Sequence, residues 1–84
     1  MRKGTLDKVL SGLSDKNIRF EDLKMLITDF GFACRIRGDH HILVKEGIPE
    51  ILNLQPLKDG KAKPYQVKQV RHLILKYKLH KGAT

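Results

Sequence analysis

The sequence predicts one α+β domain: a three-stranded antiparallel sheet with helices packed on one face. Three observations lead to it. Apolar residues recur at helical spacing near both ends of the chain, alternate with polar residues in the middle, and are interrupted there by a glycine turn. Eighty-four residues with 40% hydrophobic content and no long biased segment can bury one core and leave no room for a second. The expectation is a single domain over residues 1–84.

Element by element, Leu6, Val9, Leu10 and Leu13 recur at helical spacing, so "TLDKVLSGL" reads as a short amphipathic helix. Phe20, Leu23, Leu26, Ile27 and Phe30 repeat the pattern more strongly, and Gly31 supplies a C-terminal stop. "FACRIR" and "HHILVK" follow as strands, joined by Gly38-Asp39, a two-residue turn with glycine first, as a type II′ hairpin prefers. "EILNLQ" gives a third strand after a loop holding Gly47 and Pro49. Pro64 suits a first helical position, and Val67, Val70, Leu73, Ile74 and Tyr77 make the apolar stripe of a last helix. The order is α-α-β-β-β-α, and a domain this small covers only one side of its sheet.

The net charge of +8 is unevenly spread: residues 1–57 carry nine Lys/Arg against eight Asp/Glu, and residues 58–84 carry eight against one. A local excess of this kind attracts a polyanion, either nucleic acid or an acidic protein, and it also serves simply as a solvated helix surface. A single cysteine, Cys34, cannot form an intramolecular disulfide. No apolar run approaches the ~20 residues that span a bilayer, and "MRKGTLDKVL" lacks the apolar stretch of a signal peptide. The expectation is a cytoplasmic protein with no membrane partner.

The stretch "RIRGDHHILV", residues 35–44, sets two of the four histidines side by side just past the glycine turn. With a two-residue loop, Arg37 lies opposite His40, Ile36 opposite His41 and Arg35 opposite Ile42. Alternation then gives Phe32, Cys34, Ile36, His41 and Leu43 to a core-like face, and Ala33, Arg35, Arg37, His40, Ile42 and Val44 to an open one. A slip of one residue would exchange the two histidines. Adjacent strand residues point to opposite faces and do not readily share a metal ion, and no second ligand pair has zinc spacing around Cys34, His72 or His80. Two other readings stay open. Histidine suits proton transfer near neutral pH, with neighbouring arginines offering charge to a phosphate, whereas two polar residues at the mouth of a hairpin also need no role beyond solvation.

Two features bear on a ligand. "GKAKPYQVKQVR" sets Lys61 and Lys63 before a helix N-terminus and Lys68 and Arg71 along the helix, an arrangement suited to phosphates. Of five aromatic residues, Phe20, Phe30, Phe32 and Tyr77 are explained as core, which leaves Tyr65 as a stacking platform.

From "RFEDLKMLITDFGFACRIRGDHHILVKEGIPEILNLQPLKDGKAKPYQVKQVRHLI" the chain resembles the HicA toxins, small mRNA interferases of prokaryotic type II toxin-antitoxin modules. The likeness covers roughly residues 17–79, with a helix ending in "GF", a basic strand, a glycine-histidine turn, and the longer pieces "NLQP" and "KAKPYQVKQVR". What the resemblance implies is a double-stranded-RNA-binding-domain-like fold whose sheet histidine cleaves RNA with no metal or other cofactor. A HicB-like antitoxin would cover that histidine. Aligned to the family's turn, Gly38 takes the glycine and His40 the catalytic histidine, while members with one extra residue would move the role to His41. Asp39 departs from the family's usual serine. Arg35, Arg37, Lys61, Lys63, Lys68 and Arg71 are the expected RNA and phosphate contacts.

Overall fold

In a computed structural model that describes residues 3–81, the chain forms helix α1 (Lys3–Ser11), helix α2 (Phe20–Asp29), strands β1 (Ala33–Arg37), β2 (His40–Lys45) and β3 (Ile48–Leu54), helix α3 (Pro64–Tyr77) and a closing 3-10 turn (Leu79–Lys81). The strands pair antiparallel in the order β1-β2-β3, so β1 and β3 are both edges. The helices lie on one face, α1 against both α2 and α3. This is the fold class that the periodicity predicts.

Each element follows from local chemistry. Leu23, Leu26 and Ile27 give α2 a buried stripe, and Glu21 and Asp22 sit in its first turn, where the helix dipole favours acidic groups. Gly31, at φ +100°, turns the chain out of α2, and a Cβ there would lie 2.6 Å from Lys45 Nζ. Pro64 opens α3, and Lys78 closes it in the left-handed conformation at φ 53°. Phe32, Leu43, Leu52 and Leu54 enter one core cluster from the sheet side, facing Phe20, Leu23, Ile27, Val67, Val70 and Ile74 from the helices. Leu23, Leu43 and Leu54 are fully buried, and complete burial of such a side chain stabilises the fold by about 1.5–3 kcal/mol.

Three details differ from expectation. Helix α1 stops at Ser11, whose hydroxyl donates to the Lys8 carbonyl (2.9 Å) and accepts the Leu13 N–H (3.1 Å); Leu13 is consequently 90% exposed rather than part of the apolar stripe. Strand β3 begins at Ile48 and so includes Pro49, a residue that sheets admit on edge strands such as this one. Finally, Leu43 pairs with Leu52 but Lys45 with Ile48, so β3 takes four steps where β2 takes two. This bulge ends the regular part of the ladder.

Two connecting segments are strapped together beneath the sheet. The Ala62 N–H donates to the Ile18 carbonyl (2.8 Å) and the Phe20 N–H to the Gly60 carbonyl (2.9 Å), with Ile18 and Ala62 both buried. The strap fixes the start of α3 and therefore the position of Lys63. Among the described residues, no helix is long and apolar enough to cross a membrane.

Candidate functional site on the open sheet face

The hairpin has the register of a two-residue loop: Arg37 pairs with His40, Ile36 with His41 and Arg35 with Ile42. Gly38 has φ +62° while Asp39 stays out of the left-handed region, the pattern of a turn that needs glycine first. Adjacent His40 and His41 therefore face opposite sides of the sheet. Arg35, Arg37, His40, Val44 and Ile51 are exposed on the side without helices. Ile36 shares His41's side by alternation yet is 59% exposed, so the core-like face expected for it is not covered at this position.

His41 packs its ring edge to face with Phe20, centroids 4.7 Å apart. Its Nδ1 is buried without a hydrogen-bond partner among the described residues. Burial, then the charge of Lys24, holds its pKa below the usual imidazole value, with Glu21 and Asp39 opposing. This is a packed histidine whose surroundings favour the neutral ring.

His40 is in a different setting, with its side chain 49% exposed. Its Nδ1 lies 3.0 Å from the Asn53 side-chain oxygen; in the tautomer whose Nδ1–H donates to that oxygen, Nε2 carries the lone pair. The Asp39 carboxylate is 3.9 Å from Nε2, beyond a hydrogen bond. A second chain holds Asp39 in place. Gln55 donates to Asp39 Oδ2 (2.5 Å), and Lys63 Nζ donates to the Gln55 oxygen (3.1 Å). The Gln55 hydrogen bond is the main reason that Asp39's pKa lies below the ordinary carboxylate value; a bond to its own backbone acts the same way, burial opposes them, and the charges of His40 and Lys63 add smaller lowering effects.

Behind both chains stands Gln66 of α3, only 7% exposed. Its amide donates to the Asn53 carbonyl (3.1 Å) and accepts the Gln55 N–H (3.1 Å). Asn53, Gln55 and Gln66 were not among the residues that the sequence singled out. Alternation along "NLQP" carries a usable signal, since it gives Asn53 and Gln55 one face and Leu52 and Leu54 the other, but the β2–β3 register that brings Asn53 to His40 depends on the bulge.

The six expected basic contacts are not one surface. Arg35 and Arg37 share the open face with His40, and Lys63 joins that end of the sheet through Gln55. Lys61 lines a separate depression with Lys8, Arg19 and Asp22. Lys68 lies in a groove along α3 with Tyr65, Gln69, His72, Lys76 and Glu50. Arg71 is turned inward: it makes two bonds to the Asp15 carboxylate (2.9 and 3.1 Å) and one to the Val9 carbonyl (3.0 Å), and the Asp15 bonds raise its pKa. The helical spacing that grouped Lys68 with Arg71 thus joins a solvent-facing residue to one that ties α3 to α1. The groove also holds Glu50, which accepts hydrogen bonds from Lys76 (2.7 Å) and the Tyr77 hydroxyl (2.5 Å); these bring its pKa down to about 2.

The arrangement around His40 can accept a proton at Nε2 and present two guanidinium groups to an anion on the same face. The chain matches no protein-family model, no curated protein and no solved structure.

Proposed function

We propose that this protein is an endoribonuclease that cleaves mRNA on the open face of its sheet, with His40 as general base. The observation that carries the reading is the His40–Asn53 hydrogen bond, which leaves Nε2 as the basic nitrogen beside Arg37 and Arg35. Nε2 takes the proton of a ribose 2′-OH, the 2′ oxygen attacks the adjacent phosphorus, and the bond to the 5′ oxygen breaks. A 2′,3′-cyclic phosphate and a 5′-OH result. Arg37, directly across from His40, and Arg35, on the same face, stabilise the charge that builds on the phosphate oxygens.

The proton for the leaving oxygen comes from water or from Lys63, which Gln55 holds at this end of the sheet. Lys45 does not suit the task. It is the last residue of β2, five residues from His40 and so about 16 Å away along the strand, and its ammonium group lies against Gly31. His41 does not suit it either, since its ring packs on Phe20 on the other side of the sheet.

A protein partner belongs to the same reading. Val44 and Ile51 leave apolar surface on the open face, with Ile51 60% exposed, and an antitoxin of the HicB kind that covered them would also cover His40. A non-catalytic RNA-binding module built on Lys61, Lys63, Lys68 and Arg71 has less support, because these four residues lie on separate surfaces and Arg71 is engaged by Asp15.

The test is a cleavage assay on a defined RNA in EDTA with wild type, His40→Ala and His41→Ala, followed by end-group analysis. Cyclic-phosphate ends from wild type and His41→Ala, and none from His40→Ala, are expected. RNA that is bound in a salt-dependent way but never cut would move the protein to the binding-module reading.

A further inference from the structure

We propose that Asn53 is the positioning residue of His40, holding its ring as the Nδ1–H tautomer, and that buried Gln66 of α3 keeps the strand carrying Asn53 rigid. The consequence for catalysis rests on the nuclease reading; the tautomer itself does not.

A half-exposed histidine on an open sheet has no reason of its own to keep its proton on Nδ1, so a fixed acceptor must choose the tautomer. Asn53 is that acceptor, at 3.0 Å. Its backbone sits between Leu52 and Leu54, both anchored in the core, in a strand with no neighbouring strand on its outer side among the described residues. An unpaired edge at this position would leave the Asn53 carbonyl and the Gln55 N–H without protein partners. Gln66 satisfies both with one side-chain amide, occupying the place that a peptide group of a further strand would take. Because Gln66 belongs to α3, the helix on the covered side sets the position of an acceptor on the open side.

The Asp39–Gln55–Lys63 chain acts from the other direction. By engaging one carboxylate oxygen of Asp39, it leaves the other at 3.9 Å from His40 Nε2, so the basic nitrogen stays free for a substrate hydroxyl. A positioning residue should therefore reveal itself in the imidazole before any RNA is added.

The experiment is nitrogen-15 spectroscopy of the full chain with ring-labelled histidine, at a pH where His40 is neutral, on wild type, Asn53→Ala, Asn53→Asp and Gln66→Leu. Wild type is expected to show a protonated Nδ1 and an unprotonated Nε2 at His40. Asn53→Ala should move the proton to Nε2 and lower kcat for RNA cleavage on the order of 10- to 100-fold with KM unchanged. Asn53→Asp keeps an acceptor, so it should keep the tautomer and move the acidic limb of the pH–rate profile upward, since a carboxylate favours the imidazolium. Gln66→Leu should give mixed tautomers; if it fails to fold, the two Asn53 variants decide. A wild-type His40 with its proton on Nε2, or an unchanged tautomer in Asn53→Ala, would overturn the proposal. An Nδ1–H His40 in a protein that cuts no RNA would instead end the nuclease reading and leave the positioning role standing.

Discussion

The two faces of the sheet treat neighbouring histidines in opposite ways. On the covered face, His41 gives up solvent for contact with Phe20, leaves Nδ1 without a partner and is held neutral by burial. On the open face, His40 keeps solvent, gains Asn53 as a fixed partner and stands beside two arginines. Burial makes a histidine inert at neutral pH, whereas a chosen hydrogen bond in the open makes one usable. The difference lies in the neighbour each face provides, a packed helix in one case and one asparagine of the adjacent strand in the other.

The largest expected effect separates the two histidines by activity. In the proposed reaction, His40→Ala removes the general base and should lower cleavage by about 10²- to 10⁴-fold, while circular dichroism and thermal melting show the fold intact. His41→Ala should keep cleavage within a few-fold. Equal losses in both would mean that the two faces do not differ in function.

The same contrast should appear in stability one strand away. Leu52→Ala, on the covered face, should cost about 2–5 kcal/mol in denaturant unfolding, and Ile51→Ala, on the open face, within about 0.5 kcal/mol. A costly Ile51→Ala would show that the open face is packed in solution, as a self-association would make it.

A smaller effect concerns pH. Because His41 has a lowered pKa in the folded state, the unfolded chain binds more protons around and below the ordinary imidazole value of 6.5. The stability due to neutral His41 is therefore complete above that value and is lost as the pH falls through it toward the folded pKa. His41→Leu should flatten this part of the stability profile. Glu50 adds a second decline at lower pH, since its hydrogen bonds hold its pKa at about 2 instead of 4.5, and that stability is lost as the pH falls through this window. Glu50→Gln should remove the second decline and leave the first.

The smallest expected effect is on stability near neutral pH, where His41→Leu should be neutral or stabilising by up to about 1 kcal/mol, because an apolar side chain has no unpaired nitrogen to bury. A clear loss in calorimetry would mean that the edge-to-face contact with Phe20 outweighs the missing hydrogen bond.

Much of this arrangement is legible in the chain itself. Helical spacing marks α2 and α3, alternation marks β1 and β2, and Gly38-Asp39 fixes their register because a two-residue turn permits only one pairing. From that register alone, His40 falls on the open face and His41 on the other. Leu13 shows the limit of periodicity: it has the right spacing, yet Ser11 and Gly12 end the helix first. The bulge in β3 shows another, since nothing in "EGIPEILNLQ" says how many residues the strand inserts before Leu52 meets Leu43.

The sequence by itself determined the fold class, the three-stranded meander and the sides on which the two histidines lie, because these depend on local spacing and one short turn. Only the tertiary structure decided which polar groups meet. Asn53 reaches His40 across thirteen residues, Gln66 reaches back from α3 to Asn53 and Gln55, and Arg71 turns from the solvent to Asp15 across fifty-six. Such contacts depend on how two layers sit on one another, and that position is set by the summed packing of the core, which no single spacing encodes.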